Sequence, residues 1–519
     1  MWRRRDWIVC ALLLAMALGF RLYLARNLGA DTAEDGRVYA RMARNLLEQH
    51  VYSNAKEPPF KPSLIRLPGY SILLAGIYSL FGHDNNAAVR LIQAALDTVT
   101  CGLVGVLAFQ WQPDERRKHA TAIAALALIA FCPFTAIYVG TILTETWVSL
   151  FLVTLCLFVT LAFKAPSLGR SLRWWGAAGL VAGVAVFFRP DAGLFAAAAG
   201  LALVISTFVS RSRATVDSLT ASLRQRFVVM LRQGATFSLA FILLLVPWTV
   251  RNWRVFHLFQ PLAPSHGQMP GEFVPVGYLT WVRTWIDDQR YIDPMIWSLN
   301  EAPIDIDELP QSAFDSAEER TRVEELFDEY EAPVAEEEAA ASDQSGEAGE
   351  RAGSAKSRSP EMTPAISAAF GEIARDRIKH GPLRYYLWLP LKRACALWFD
   401  THSDYYPFTG TLLPLSDLDH GTHQHIWLPF FTGLVWVYTL LGLAGGWLLW
   451  RSRDHYARTW LLLAALMIFL RLAFFSSLEN PEPRYTVEFF PLVAVLGGIA
   501  IARLSYWRRH PQNSAECQP

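Results

Sequence analysis

Three observations predict an all-α polytopic membrane protein with about ten transmembrane helices. Apolar residues make up 52% of the 519 and charged residues only 18%, against roughly 45–50% and 25% in a soluble domain. Apolar runs near the length a helix needs to cross a bilayer recur along the chain. Lys and Arg collect in alternate connecting segments, as expected for loops on the inner side of a membrane. The composition excludes a disordered chain, a collagen-like fibre and a disulfide-stapled secreted domain. Equal totals of 47 basic and 47 acidic residues give no pull toward nucleic acid.

Spans are predicted at 7–25, 87–110, 119–137, 144–163, 174–188, 191–209, 234–250, 426–450, 457–475 and 487–507. The run at 174–188 is short because Arg189-Pro190 ends it. Basic residues cluster at Arg3–Arg5, Arg116–Lys118, Lys164 to Arg173, Arg211 to Arg232, Arg451 to Arg458 and Arg508-Arg509. In a ten-span chain all six clusters fall on one side, which makes both termini cytoplasmic. The first span has signal-like charge but no small-residue cleavage site, and reads as uncleaved. Six cysteines are scattered without a CxxC, so neither a disulfide framework nor a zinc knuckle is expected. No Asn-x-Ser/Thr sequon occurs. This is the pattern of a multi-pass protein of a bacterial inner membrane.

Three regions follow. Residues 1–260 form a transmembrane module that includes the first outer loop, 26–86. Residues 261–425 form a large outer, periplasmic region, and residues 426–519 form the last spans and a short tail. In the first outer loop, Val38, Met42 and Leu46 share one face of a predicted helix over 33–48 and Arg37, Arg41 and Arg44 another, so it should lie flat on the membrane. The apolar run 69–82 is too short to span and is read as partly embedded. Residues 301–362 are rich in Glu, Ala, Ser and Gly and are expected to be a solvated, disordered insert. Helical patterning returns over 363–398.

Candidate chemistry lies on the outer side. Asp31 and Glu34 suit the cap and first turn of a helix. Asp35, four residues before Tyr39, suits a general base for an acceptor hydroxyl or amine. Arg66, before Pro68-Gly69-Tyr70, suits either a lipid-surface anchor or a phosphate ligand. Glu145 stands at the mouth of a span, where an acid costs roughly 2.5–3.5 kcal/mol unless something offsets it. Arg90, Gln93 and Asp97 share a helix face, and Asp97 and Arg90 are expected to pair with other spans. Arg189, Arg251 and Arg484 fall on the side where arginine is disfavoured, which an anionic partner would explain. His420, His423 and His425 with Asp417 and Asp419 are types that fit Zn or Mn, at a spacing that matches no strong signature. No GxGxxG and no Walker loop occurs, so a nucleotide donor and ATP-driven transport have no place.

Together these pieces resemble the GT-C superfamily of membrane glycosyltransferases, and within it the protein-mannosyltransferase-like branch that includes the lipid A aminoarabinose transferase. The resemblance is carried by Asp35-x-x-x-Tyr39 with Asn45-Leu46-Leu47, Arg66-x-Pro68-Gly69-Tyr70, Leu143-Thr144-Glu145, Arg189-Pro190, Pro247-Trp248-Thr249-Val250-Arg251-Asn252 and Glu482-x-Arg484-Tyr485. It implies a GT-C-like fold and transfer of a sugar from a polyprenyl-phosphate donor to a lipid, glycan or protein acceptor on the non-cytoplasmic side. By the same resemblance Asp35 and Glu145 are the catalytic acids of the first two outer loops. Arg66, with Arg251 and Arg484, meets the lipid phosphate, and Glu34, Tyr39, Tyr70, Arg189 and Tyr485 complete the substrate site. Asp31-Thr-Ala-Glu34-Asp35 departs from a simple Asp-x-Asp, which leaves a divalent ion, Mg or Mn, open. Two other classes stand beside the enzyme: a flippase of lipid-linked sugars, and a non-catalytic subunit of an envelope assembly complex. Few charges stand in the spans, Asp97 being the main one, which disfavours a polar transport path.

Overall fold

The computed structural model describes residues 2–28, 34–209, 223–264, 268–344, 359–400 and 422–509, and no strand occurs among them. They divide into two units. The first comprises residues 1–270, 401–471 and 486–519; the second comprises 271–400 and 472–485.

Every predicted span is a helix. They are α1 (Arg4–Asn27), α4 (Asn86–Trp111), α5 (Lys118–Ala130) continued by α6 (Pro133–Ala136), α7 (Glu145–Phe163), α8 (Leu168–Phe188), α9 (Gly193–Val209), α10 (Leu223–Phe256), α15 (Thr422–Arg451), α16 (Ala457–Ser476) and α17 (Phe490–Arg509). Among the described residues nine helices are long and apolar enough to cross a membrane, and ten if the pair bent by 52° after Ala130 counts as one. The loop helices α2 (Glu34–Glu48) and α3 (Pro68–Phe81) also form where the sequence places them. The run expected to be short extends back to Leu168, because the Ser167 hydroxyl accepts from the Arg170 amide at 3.4 Å and caps an extra turn.

The break between α5 and α6 shows how a charge comes to lie in the bundle. Pro133 stops the helix, and the carbonyls before it lose their partners. Arg21 of α1 supplies them, donating to the Ala130 oxygen at 2.8 Å and the Ile129 oxygen at 3.2 Å. Asp97 of α4 neutralises that guanidinium at 2.6 Å, with Arg21 0% exposed. Asp97 therefore does pair across spans, whereas Arg90 bonds to Asn86 of its own helix. The expectation of nearly uncharged spans needs correction: Arg21, Arg471 and Glu488 are buried in span helices as well, and Asp191 is half-buried in another.

Helices α8 and α10 pack closely because α8 carries Gly179-x-x-x-Gly183, the small-residue spacing that brings backbones together in membranes. A Cβ on Gly179 would stand 2.2 Å from the Phe237 carbonyl oxygen. Gly179→Leu is expected to lower the thermal unfolding midpoint clearly, the overpacking costing about 1–3 kcal/mol. Gly76→Leu, where nothing lies within 4 Å, is the control and should leave the midpoint in place.

In the second unit, α11 (Val276–Arg283), α12 (Ala317–Gln344), α13 (Pro364–His380) and α14 (Leu389–Phe399) are the α-helices. Its core gathers Trp281, Trp285, Phe327, Tyr330 and Phe370. The expectation of disorder over 301–362 does not hold where the segment is described. Val323, Phe327 and Tyr330 form an i, i+4, i+7 stripe on α12 and are buried. Residues 345–358 lie outside the described residues.

Candidate active site

The site is built on the loop between α1 and α4. Helix α2 buries Ala40, Met42 and Ala43 and leaves Arg37 exposed, the amphipathic arrangement its sequence predicts. Asn45 then pins the following loop, its amide donating to the Ser53 carbonyl at 2.9 Å and the Ala55 carbonyl at 3.0 Å. The Ser63 amide bonds back to the Tyr52 carbonyl at 2.8 Å. The Tyr52 hydroxyl donates to the Leu67 carbonyl at 3.1 Å. These bonds deliver Arg66 to the start of α3. There Pro68 stands at the first helical position, and Gly69 lets α3 meet α8, since a Cβ would stand 2.7 Å from the Phe187 oxygen.

Arg66 Nη2 meets Asp35 Oδ1 at 2.7 Å, with side-chain exposures of 35% and 30%. The pair is thus reachable from outside, while its surroundings are buried. Tyr39 sets its ring edge-on to Tyr70 at 5.2 Å between centroids. Burial pushes the Tyr39 phenol up to about 12; Arg66 and Arg189 pull it down, and Asp35 and Glu145 push it up. One phenol therefore feels four of the predicted site residues, and at neutral pH it is an un-ionised donor. The stability this gives is full below pH 10 and is lost as pH rises toward about 12. Tyr39→Phe is expected to move the alkaline unfolding midpoint upward, read by circular dichroism during a base titration.

Tyr70 is fully buried and donates to Gln93 at 2.9 Å. The Gln93 amide donates in turn to the Thr141 carbonyl at 2.7 Å. Glu145 opens α7 and is 2% exposed. Its Oε1 accepts from Arg189 Nη1 at 2.9 Å.

Arg189 is the C-cap of α8 and also meets Asp191 at 3.1 Å and Glu488 at 3.8 Å. Arg471 of α16 meets Asp191 at 2.8 Å and Glu488 at 3.1 Å, and lies 5.0 Å over the Phe195 ring. Helix dipoles favour part of this placement: acids stand at or just before the starts of α7, α9 and α17, and Arg189 stands where α8 ends. Three carboxylates share two guanidinium groups. Glu145 Oε2 and Glu488 Oε2 remain buried with no hydrogen-bond partner among the described residues.

Arg251 closes the other flank. It donates to the Ser63 carbonyl at 2.9 Å and lies over the Trp248, Phe256 and Tyr52 rings at 4.8, 5.0 and 5.8 Å. It braces the strand of loop that carries Arg66. Tyr52 is raised by burial and also feels Tyr39, Arg251 and Arg66, which ties this flank to the Asp35–Arg66 pair. The structure thus gathers Asp35, Tyr39, Arg66, Tyr70, Glu145, Arg189 and Arg251 in the first unit.

Other predicted residues are not gathered there. Arg484 and Tyr485 belong to the second unit. Arg484 pairs with Glu482, and Tyr485 stacks on Phe475 at 4.4 Å and accepts from Asn480 at 3.1 Å. Asp31 and the Glu34 side chain lie outside the described residues, as do His420 and the His423 side chain; His425 is exposed at the start of α15. Among the described residues no three His, Cys, Asp or Glu are placed to hold a metal ion. Sequence reading did not select Tyr52, Asp191, Arg471 or Glu488. The signal for Arg471 was present, as a lone arginine in an apolar run needs a buried partner.

The oligosaccharyltransferase AglB of Archaeoglobus fulgidus, solved with an inhibitory peptide and a dolichol-phosphate, aligns over 99% of this chain and 52% of its own, with a TM-score of 0.50 and 14% identity. A second structure of the Archaeoglobus fulgidus oligosaccharyltransferase, with a tethered acceptor peptide, aligns over 100% and 52% with a TM-score of 0.48 and 12% identity. The chain therefore spans about half the length of these archaeal proteins. ArnT of Cupriavidus metallidurans, solved with undecaprenyl phosphate, aligns over 100% and 82% with a TM-score of 0.35 and 16% identity. The fold is that of the GT-C membrane glycosyltransferases. Residues 61–229 match the family model of the dolichyl-phosphate-mannose-protein mannosyltransferases, a stretch that runs from Arg66 through Glu145 and Arg189. No curated protein sequence matches the chain.

Proposed function

We propose that the protein is an integral-membrane glycosyltransferase that moves a sugar from a polyprenyl-phosphate donor to an acceptor at the Asp35–Arg66 pair, on the membrane face opposite the basic loops. The observation that carries this reading is that pair: a carboxylate and a guanidinium 2.7 Å apart, partly exposed, beside a half-buried tyrosine that senses Arg189 and Glu145. The family match over 61–229 and the absence of any nucleotide loop support it.

The reaction is a single displacement at the anomeric carbon. Arg66 exchanges Asp35 for the incoming phosphate, for which its planar fork is well shaped. Asp35, released, accepts the proton of the acceptor hydroxyl or amine as that atom bonds to the anomeric carbon. The bond from carbon to phosphate oxygen breaks on the opposite face, its electron pair leaves with the phosphate, and configuration inverts. Glu145 is too buried to take the acceptor proton. It fixes Arg189, a second cation facing the site, and so acts by positioning.

The test is turnover of a labelled polyprenyl-phosphate sugar by the full chain in proteoliposomes, with and without EDTA. Transfer or hydrolysis of the sugar supports the reading, and the EDTA lane decides the ion. Labelled lipid that crosses the bilayer intact, with no sugar released, would replace it with the flippase reading.

A further inference from the structure

At the other end of α1 from Asp35, a cavity of about 580 Å³ lies between α1, α4 and α5. Trp7, Val99, Gly102 and Phe109 are among its lining residues, which are almost all apolar. Its volume is that of a small-molecule site. Trp7 and Val99 are 61% and 55% exposed, so the groove opens sideways to the surrounding lipid. From Thr98 to Phe109 it follows α4 for about 16 Å at the helical rise, which suits one extended acyl chain.

The mouth is aromatic and basic. Trp2 stacks on His119 with centroids 4.7 Å apart and lies 6.0 Å from Phe109, and Lys118 Nζ stands 5.4 Å above the Phe109 ring. Arg3, Arg4, Arg5, Arg116, Arg117 and Lys118 belong to this end, against Asp6, Asp114 and Glu115. Asp114 pairs with Arg117 and Glu115 with Lys118, and Asp6 lies 3.6 Å from His119 Nδ1. Arg3, Arg4, Arg5 and Arg116 make no ion pair among the described residues, so the mouth keeps a positive excess beside an apolar slot.

We propose that this groove is a binding site for one anionic phospholipid, its acyl chain between α1 and α4 and its phosphate among the arginines. A neutral lipid would satisfy the slot but not the charge. A free phosphate would satisfy the charge but not the slot. The tryptophans at the mouth suit the headgroup level, where aromatic rings gather in membrane proteins. The site stands apart from the Asp35–Arg66 pair and does not depend on the transferase reading.

The test is native mass spectrometry of the full-chain protein extracted from vesicles of equal phosphatidylglycerol and phosphatidylethanolamine. Wild type is expected to retain phosphatidylglycerol at least fivefold over phosphatidylethanolamine. Each of Arg4→Gln, Arg5→Gln and Arg116→Gln should weaken that preference, by up to about fivefold per charge. Gly102→Leu fills the slot without a clash, since a Cβ there meets only Leu14 at 3.7 Å, and should abolish retention of either lipid. Val99→Trp blocks the same slot from an already exposed position and serves if Gly102→Leu fails to fold. Equal retention of both lipids by wild type, or retention unchanged in the slot-filling variants, would overturn the proposal. So would displacement of phosphatidylglycerol by added polyprenyl phosphate, which would make the groove a seat for the donor's tail.

Discussion

Asp35→Asn is expected to lose about 10²–10⁴ in transfer rate, the contribution of a positioned general base, with the fold intact. The amide keeps the shape of the carboxylate and can still accept from Arg66, so the resting contact survives. What it cannot do is accept the acceptor's proton. The cost in stability should be small, because both side chains are about a third exposed and ion pairs in that setting are worth roughly 0–1 kcal/mol. Arg66→Lys separates the two halves of the mechanism: it keeps a positive charge but loses the two-pronged contact with phosphate. It should transfer more slowly than wild type and faster than Arg66→Ala, for which a loss of about 10²–10³ is expected. Initial rates in proteoliposomes, with unfolding midpoints measured alongside, check all three. Near-normal turnover by Asp35→Asn would remove Asp35 from the reaction.

Elements governed by local pattern were legible in the sequence. The spans declare themselves by length and apolar content, and α2 by its stripe of Val38, Met42 and Leu46. Asp35 stands out by its place four residues before Tyr39 and Arg66 by its place before Pro68-Gly69-Tyr70, and the structure brings the two side chains to 2.7 Å. Long-range pairing was not legible. Nothing in the sequence around Arg21 marks its role; Pro133, far along the chain, creates the bare carbonyls that hold it there. Nothing near Arg251 in the sequence marks Ser63, yet Arg251 Nη1 donates to the Ser63 carbonyl. In α12 the average composition misled. A surplus of glutamate on the solvent side concealed Val323, Phe327 and Tyr330, and a helix needs only one apolar face to pack.

Arg471→Met is expected to destabilise the protein by about 3–5 kcal/mol, the usual result of taking one partner from a buried ionic cluster. Arg471 and Glu488 are both 0% exposed, and Glu145 is 2% exposed. Without Arg471, Asp191 and Glu488 fall to Arg189 alone, which already serves Glu145. Methionine nearly fills the space, so the loss measures charge rather than a cavity. Adding Asp191→Asn removes one of the uncompensated carboxylates. The double variant should therefore be more stable than Arg471→Met, a reversal of sign that independent sites do not show. Thermal unfolding in nanodiscs reads both. A loss under 1 kcal/mol for Arg471→Met would mean that the cluster is already relieved without it. A cluster of this kind adds little net stability over a well-packed apolar one, so its presence calls for another reason. It joins the end of α8 and the body of α16 to the starts of α7, α9 and α17, and through Glu145 it fixes the guanidinium that acts on Tyr39. Arg471→Met/Asp191→Asn should then recover stability without recovering full transfer, because Arg189 is no longer held from both sides.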